Sequence, residues 1–363
     1  MSISEINPHE MSTVIAKAAV LPAALHGLTN LADVKIGASV LACSDEFFAK
    51  AERMLQSDPA RFIAGKYDDH GKWMDGWETR RKREAGYDWC IIRLGVPGEV
   101  HGFDIDTSFF TGNYPVSASI EGCYVADDHP AEADWQHLVA NSALTADQHH
   151  FFQVTAQKLS HIRLNIFPDG GIARLRVYGR VILNPQQADA VLDLIALKNG
   201  GRIVAYSDAH FGHPSHLLNP DPAQNMGDGW ETQRRREPGH DWCIIALGQA
   251  GHITEITVDT AHFKGNFPAS CSIQAAYVRA AIDAQLVPQS LFWSVLLPEQ
   301  ILSMDQLHHY RINSGIESRI KNHIEKRGEI LPHQKINYIR LNMYPDGGIS
   351  RLRLWGTLSD SSD

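Results

Sequence analysis

The sequence predicts an all-β protein built from two copies of one domain, and three observations lead to this prediction. A stretch of 17 residues occurs twice: residues 76–92 read GWETRRKREAGYDWCII and residues 229–245 read GWETQRRREPGHDWCII, with 13 identical positions. Each copy runs into a short apolar stretch, WCIIRLG or WCIIALG, which is typical of a buried strand. Each repeat then closes with alternating runs around PDGG, a turn signal. Short strands with glycine-rich turns favour two sandwiches or barrels.

The strands can be assigned in the same order along both copies. The WCII run ends at a glycine, so we predict a buried strand and then a turn. Residues 101–115 and 253–268 follow, where polar and apolar side chains alternate with the period of two expected of a half-buried strand. Residues 161–179 and 338–356 are predicted as a closing hairpin, because proline, aspartate and glycine suit the positions of its turn.

The matched stretches divide the chain into five parts. These are an N-terminal arm with some helical tendency (residues 1–30), a first repeat (31–182), a short helical linker (183–200), a second repeat (201–358) and a tail (359–363). The linker is predicted to be helical because Asn184 can cap a helix, Pro185 suits its first turn and the NGG run would end it. The second repeat has extra residues at 311–329, for which we expect a helical excursion.

Composition and charge limit what the protein can do. A chain of 363 residues with 44% hydrophobic content is long enough for two domains, each with its own core. The net charge of −9 argues against nucleic acid or an anionic membrane as a partner. No run approaches the roughly 18 apolar residues of a membrane span. The five cysteines lack CxxC spacing and the N-terminus is polar and acidic, so we expect a cytoplasmic protein with reduced thiols.

The duplicated GWET block concentrates charged groups that suit a small anionic ligand. An arginine guanidinium binds a carboxylate through two parallel hydrogen bonds, and a nearby carboxyl group can transfer protons. The substrate-binding candidates are Arg80, Arg81 and Arg234, and the catalytic candidates of this block are Glu78 and Glu231. The alternative is that arginine and glutamate at this spacing pair with each other or stabilise a loop.

Aspartate and histidine are also retained in both copies. Asp106 and Asp259 lie near the end of a predicted strand, where burial could raise the pKa of a carboxyl group enough for acid–base catalysis. Each could instead cap the following turn. His150 and His308 are further catalytic candidates, since histidine titrates near neutral pH. A histidine that only stabilises the core or the surface is the alternative reading.

A loop in each copy supplies the last candidates. Asn113 and Asn266 follow glycine in this loop and are candidates for substrate binding. The 19 histidines do not show HxxxH or similar ligand spacing, so no metal site and no cofactor are predicted, and dependence on a divalent metal stays open. Arg80 corresponds to Gln233 in the other copy, which leaves two arrangements open: one active repeat, or one composite site.

Several motifs together resemble the allantoicase repeat. DGWET, a DT–F–GN–P loop and RLN-x-(F/Y)-PDGG-I-(A/S)-RLR occur twice in this order and cover about residues 31–357. The resemblance implies two tandem jelly-roll β-sandwiches of the galactose-binding-like kind, which agrees with the all-β prediction. It also implies hydrolysis of allantoate to ureidoglycolate and urea in purine and allantoin degradation, and assembly into homo-oligomers.

The expected substrate can be matched to the candidate residues. Allantoate is a carboxylate whose central carbon bears two ureido groups. We expect an arginine to hold the carboxylate, an asparagine to bind ureido groups, and glutamate and aspartate to act as acid and base. Two other functions stay open. One is a non-catalytic sandwich that binds ureides or carbohydrates, and the other is an enzyme that acts on ureidoglycolate, which shares the carboxylate and one ureido group.

Overall fold

The chain forms two compact units of antiparallel β-strands, Met1–Ile182 and Leu183–Asp363. The computed structural model describes residues 12–17, 19–183, 190–279, 281–312 and 329–359. Strands dominate both units, and the described residues contain a single α-helix, α1 (Asp283–Ser290). The prediction of an all-β fold with a duplicated domain is therefore confirmed.

The first unit is organised around two strands of 19 residues each. Its strands are β1 (Thr13–Ile15), β2 (Thr29–Asn30), β3 (Ser39–Cys43), β4 (Arg61–Ile63), β5 (Tyr67–Asp68), β6 (Gly71–Lys72), β7 (Trp77–Glu78), β8 (Asp88–Asp106), β9 (Ser117–Cys123), β10 (Gln136–Ala143), β11 (His149–Phe167), β12 (Gly171–Ile172) and β13 (Arg174–Val181). The main sheet has the order β10-β9-β11-β8-β13-β2, and β3 also pairs with β8. Its 3-10 helices are Ala23–Leu25, Val34–Ile36, Ala51–Leu55 and Glu132–Asp134.

The second unit repeats this plan. Its strands are β14 (Leu192–Asp193), β15 (Arg202–Tyr206), β16 (Trp230–Glu231), β17 (Asp241–Asp259), β18 (Ser270–Ala276), β19 (Ser294–Ile301), β20 (Leu307–Arg311), β21 (Ile336–Tyr344), β22 (Gly348–Ile349) and β23 (Arg351–Leu358). The main sheet has the order β14-β23-β17-β21-β18-β19, and β15 and β20 also pair with β17. Its 3-10 helices are Leu197–Asn199, Pro214–Leu218 and Met226–Asp228.

Alternation along β8 separates an apolar core from a polar face. Phe103 and Ile105 are fully buried in the apolar core of the first unit, together with Trp77 of β7. Asp104 and Asp106 point to the opposite face of the strand, as the period of two requires. The tryptophan of the GWET block is therefore a core residue. The glutamate that follows it in sequence lies at the edge of that core.

The expected turn after the WCII run does not form. β8 continues through Gly95 as one strand, and β17 continues through Gly248 in the same way. A Cβ atom on Gly95 would lie 2.7 Å from the backbone oxygen of Ile36, and one on Gly248 would lie 1.7 Å from that of Asn199. These glycines allow a 3-10 helix to approach the strand closely, and they do not mark a turn.

The runs around PDGG do not pair with each other, so the predicted closing hairpin is wrong. In the first unit, β11 and β13 lie on opposite sides of β8. Between them the chain leaves the sheet, and β12 pairs with β7. The glycine of the turn has the expected positive φ, 144° at Gly170 and 139° at Gly347. The turn residues were thus interpreted correctly, but the alternating pattern does not say which strand each run joins.

The linker also differs from its prediction. In its described part, residues 183 and 190–200, the chain contains β14 and the 3-10 helix Leu197–Asn199 instead of one continuous helix. β14 pairs with β23, and Leu194 and Ile195 enter the core of the second unit. From residue 190 onward, strand pairing and core packing therefore take the place of the predicted helix. Residues 184–189 and 313–328 lie outside the described residues, and with them most of the predicted excursion at 311–329.

The described part of the N-terminal arm contains strands as well as a short helical turn. β1 pairs with β4, and β2 extends the main sheet by pairing with β13. The helical tendency is limited there to the 3-10 helix Ala23–Leu25.

Candidate active site

The GWET block forms a short strand whose two residues face opposite ways. Trp77 is fully buried, and its Nε1 donates a hydrogen bond to the backbone oxygen of Asp45 at 2.8 Å. Glu78 therefore points away from the core and is half-buried. Its backbone pairs with Gly171 of β12 on one side and with Ala49 on the other. Strand pairing thus fixes the position of the glutamate from two sides.

Each glutamate of the GWET blocks accepts a hydrogen bond from an asparagine. Nδ2 of Asn113 lies 2.6 Å from Oε1 of Glu78, and Asn266 donates to Glu231 in the same way. The backbone oxygen of Asn113 also accepts from the backbone nitrogen of Gly171 at 2.7 Å, which ties the Gly-Asn loop to β12. The structure therefore brings together two of the predicted candidates in each repeat.

Burial raises the pKa of Glu78 above its ordinary value. The hydrogen bond from Asn113 opposes this effect, and the charges of Asp68 and Lys72 act in opposite directions, Asp68 raising the pKa and Lys72 lowering it. A carboxyl group with a raised pKa is protonated over a wider pH range and can donate a proton. The raised pKa favours the predicted role of Glu78 in acid–base catalysis.

Arg81 is exposed on a segment whose backbone is fixed on both sides. The backbone nitrogen of Thr79 donates to the oxygen of Gly170 at 3.1 Å, and that of Lys82 donates to Oδ2 of Asp169 at 2.7 Å. Within the part of the chain that the structure describes, the Arg81 guanidinium has no hydrogen-bond or ion-pair partner. This leaves all of its donors available to a ligand.

Arg234 is in the same situation in the second repeat. The backbone nitrogen of Thr232 donates to Gly347 at 3.0 Å and that of Arg235 donates to Asp346 at 2.9 Å. The Arg234 side chain is exposed and has no such partner among the described residues. The Asp residues of the two PDGG turns therefore brace the backbone that presents each arginine.

Arg80 differs from Arg81 because it is already paired. Its Nε lies 2.7 Å from Oδ2 of Asp45, and its backbone nitrogen donates to Oδ1 of the same residue at 2.9 Å. The guanidinium also lies 5.2 Å from the centre of the Phe47 ring. In the second repeat the backbone nitrogen of Gln233 keeps the bond to its aspartate, Asp208, at 2.6 Å, but no guanidinium is present at this position.

The two aspartate candidates act as caps of the following turn. Oδ1 of Asp106 accepts from the backbone nitrogen of Ser108, and Oδ1 of Asp259 accepts from that of Ala261, both at 2.8 Å. Asp106 is 2% exposed and Asp259 is 8% exposed. Their geometry is that of a structural turn, which was the alternative reading of the sequence.

Both ring nitrogens of His150 and His308 are bonded to the backbone. Nε2 of His150 accepts from the backbone nitrogen of Thr145 at 2.9 Å, and Nδ1 contacts the oxygen of Ile105 at 3.0 Å. His308 repeats this with Ser303 at 2.9 Å and with the backbone oxygen of Val258 at 3.2 Å. Because a backbone N–H can only donate, Nε2 is the acceptor in each of these pairs, and Nδ1 faces a backbone oxygen. These contacts do not place either imidazole beside the glutamate–asparagine pair.

Sequence reasoning missed several residues near Glu78. Asp68 and Lys72 belong to a hairpin of the first repeat, and their charges act on Glu78. Asp45 fixes Arg80 and accepts two bonds from it. The Ser-Asp pair shared by residues 44–45 and 207–208 was a signal for Asp45, but the hairpin has no counterpart in the other copy that could have identified it.

Neither a cluster of three possible metal ligands nor a membrane-spanning helix is found among the described residues. Histidine, cysteine, aspartate and glutamate side chains do not gather in groups of three or more at metal-binding distance within the described ranges. No helix in the part of the chain that the structure describes has the length and hydropathy of a membrane span.

Comparison with known proteins identifies the family of the chain. A family model described as the allantoicase repeat matches residues 29–182 and 192–359. A probable allantoicase of Acinetobacter baylyi is 58% identical over 347 residues, which covers 95% of this chain and 99% of that protein. Probable allantoicase 1 of Burkholderia mallei is 53% identical and covers 91% of this chain and 94% of its own length.

A solved structure agrees with the sequence comparison. The crystal structure of allantoicase from Saccharomyces cerevisiae is 35% identical in sequence, has a TM-score of 0.71, and covers 90% of this chain and 92% of its own. The family model matches both repeats, and the relatives cover almost the whole length. The chain therefore belongs to the allantoicase repeat family.

Proposed function

We propose that this protein hydrolyses allantoate to ureidoglycolate and urea. The observation that supports this most directly is the repeated arrangement of a glutamate, an asparagine bonded to it and an unpaired arginine, in a chain that is 53–58% identical to probable allantoicases over nearly its full length. These three groups suit a ligand with one carboxylate and two ureido groups.

The unpaired arginine is the proposed site of the substrate carboxylate. A guanidinium can donate two parallel hydrogen bonds to a carboxylate, and the fixed backbone around Arg81 reduces the entropy lost when the ligand binds. The amide of Asn113 donates one hydrogen bond to Glu78, which leaves a second N–H and its oxygen for a ureido group. Together these groups would orient the central carbon toward the carboxyl group of Glu78.

Release of urea requires one proton and one water molecule. The bond between the central carbon and one ureido nitrogen breaks, and that nitrogen takes the proton of the Glu78 carboxyl group. The hydroxyl of a water molecule then bonds to the central carbon, directly or after an imine-like intermediate. The water's other proton returns to Glu78. One carboxyl group can thus act as acid and then as base, which its raised pKa favours.

Two properties of the whole protein are proposed as well. We propose that it acts in the cytoplasm, since all five cysteines are free thiols. We also propose that it forms homo-oligomers, as the resemblance to the allantoicase repeat implies. Light scattering coupled to size-exclusion chromatography would measure the mass of the assembly, and a mass of one 40.4 kDa chain would contradict the second proposal.

The test of the proposed function is urea release from allantoate by the purified protein, measured with and without a chelator. We expect release from allantoate, and the chelator arm measures any requirement for a divalent metal. Release from ureidoglycolate alone would contradict the proposal and assign the enzyme to the next substrate. Binding of allantoate by calorimetry without turnover of either compound would make the protein a binding module.

A further inference from the structure

The first repeat contains a hairpin that the second repeat does not. The segment from Ser44 to Gly76 has 33 residues, and its counterpart from Ser207 to Gly229 has 23. The extra residues include β5 and β6, which pair in register as Tyr67 with Lys72 and as Asp68 with Gly71. Residues 207–229 are all described and contain no pair of strands.

The tip of the hairpin lies next to residues of the candidate site. The ring of His70 is 4.4 Å from that of Phe47, and Phe47 lies 5.2 Å from the guanidinium of Arg80. Arg80 directly precedes Arg81, the proposed carboxylate ligand. Asp68 and Lys72, one on each strand, are close enough to Glu78 for their charges to affect its pKa.

The base of the hairpin is anchored, whereas its tip is exposed. The backbone nitrogen of Trp73 donates to the oxygen of Lys66 at 3.0 Å, and Nζ of Lys66 lies 3.8 Å from the Trp73 ring. The backbone nitrogen of Arg61 donates to Asp75 at 2.9 Å. All side chains of residues 67–72 are exposed. A fixed base and an exposed tip would allow the hairpin to contact a bound ligand without a large rearrangement.

The matching position of the second repeat has a different environment. Gln233 stands where the first repeat has Arg80, and His210 stands where it has Phe47. His210 packs against Phe211, at 4.4 Å between ring centres, and the shorter loop leaves Phe211 62% exposed. The second glutamate–asparagine pair is therefore not flanked by a hairpin.

We propose that turnover takes place in the first repeat, at Glu78 beside the β5–β6 hairpin, and not in the second repeat. This inference rests on the proposed hydrolysis of allantoate and assigns that reaction to one of two similar positions. The hairpin places the charges of Asp68 and Lys72 close to Glu78. The second repeat supplies the same framework without the hairpin.

The charges of the hairpin provide a test of which repeat carries out turnover. With Glu78 as the acid, kcat falls as the pH rises through its pKa. Asp68→Asn removes a negative charge that favours the protonated form, so the fall should move to lower pH. Lys72→Gln removes a positive charge that favours the carboxylate, so it should move to higher pH. We expect shifts in opposite directions of roughly 0.3 pH unit each.

Lys264→Gln is the matched control in the second repeat. Lys264 is exposed, lies two residues before Asn266 and has Nζ 3.8 Å from Asp305. We expect the kcat profile of this variant to match that of the wild type. A shifted profile for Lys264→Gln, with unchanged profiles for both hairpin variants, would overturn the assignment to the first repeat.

Shortening the hairpin is a second, independent test. Because Lys66 and Trp73 are already joined by a backbone hydrogen bond, residues 67–72 can be replaced by Asn-Gly, a two-residue connection typical of hairpins. We expect kcat to fall at least tenfold with an unchanged melting temperature. Unchanged kcat in a folded variant would contradict the proposal. If the shortened protein does not fold, the Asp68→Asn and Lys72→Gln variants still test which repeat is active. If the wild-type protein releases no urea from allantoate, both the proposed function and this inference are wrong. If the wild-type protein releases urea but the variants do not behave as expected, only the assignment to the first repeat is wrong.

Discussion

The hydrogen bond between Asn113 and Glu78 determines which oxygen of the carboxyl group can exchange a proton. Nδ2 of Asn113 donates a hydrogen bond to Oε1 of Glu78 at 2.6 Å. Oε2 has no hydrogen-bond partner among the described residues. A proton on Oε2 could therefore be given to a ligand without breaking a bond within the protein, while the amide holds the group in place.

Replacing the amide should weaken catalysis without unfolding the protein. Asn113→Ala removes the bond to Oε1 and the ureido contact that we propose. Since each neutral hydrogen bond contributes about 0.5–1.5 kcal/mol and two are lost, kcat/KM for allantoate should fall by roughly 5- to 150-fold. Ser142→Ala, which removes a hydroxyl of β10 that donates only to the backbone oxygen of Ala140 among the described residues, is the control. Equal kcat/KM values for both variants would exclude this role for Asn113.

Gly171 is required by a close contact with an aromatic ring. A Cβ atom at this position would lie 1.9 Å from Cε1 of the fully buried Phe110. Gly171→Ala should therefore reduce the free energy of unfolding by about 1–3 kcal/mol, measured by chemical denaturation. Gly112→Ala, where no atom lies within 4 Å of the added carbon, should change it by less than about 0.5 kcal/mol. Similar losses for the two variants would show that the ring moves aside.

That a residue is identical in both repeats does not show whether it serves catalysis or stabilises the fold. Asp106 caps a turn and His150 bonds to the backbone of a loop, whereas Glu78 accepts a hydrogen bond from the side chain of Asn113. The sequence shows identity and spacing, but it does not show whether a polar atom is already bonded. Arg80 and Arg81 are neighbours with the same side chain, and only the structure shows that Arg80 is paired.

At the level of elements, one buried arginine in each repeat, Arg174 of β13 and Arg351 of β23, holds the loop that leads to the GWET block. Arg174 is 2% exposed and donates to the backbone oxygens of Asp58 and Asp75 at 2.8 Å, and to Oδ2 of Asp75 at 2.8 Å. Arg351 makes the equivalent bond to Oδ2 of Asp228 at 2.8 Å. The planar fork of arginine reaches several acceptors that lysine cannot reach together.

Arg174→Lys tests this role. The variant should lose two or more buried hydrogen bonds, so the free energy of unfolding should fall by about 2–4 kcal/mol. Arg83→Lys changes an exposed arginine in the same part of the chain and should cost less than about 0.5 kcal/mol. Denaturant unfolding of the two proteins measures the difference. A small loss for Arg174→Lys would mean that water replaces the missing bonds.

The order of strands could be predicted only in part from the sequence. Alternating and apolar runs located most strands, because burial on one or two faces leaves a clear pattern. The pattern does not identify partners, so β11 and β13 were expected to pair although both pair with β8. The helix predicted for the linker does not form in its described part for a related reason, because Ile195 is buried in the core of the second unit.

For the whole molecule, duplication explains both the success and the limit of the sequence analysis. Two copies of one fold, each with a core around a buried tryptophan, made the family resemblance specific. Symmetry also made the two candidate sites look equivalent. The difference between them is the hairpin inserted in the first copy, and its position next to Glu78 could be seen only in three dimensions.

The most direct test of the proposed role of Glu78 is the turnover of allantoate by Glu78→Gln. Glutamine keeps an acceptor for Asn113 but cannot donate an acidic proton. We therefore expect kcat to fall by roughly 100- to 10,000-fold, the usual contribution of general acid–base catalysis, with the melting temperature unchanged. A variant that is folded and releases urea from allantoate at the wild-type rate would contradict the role of Glu78.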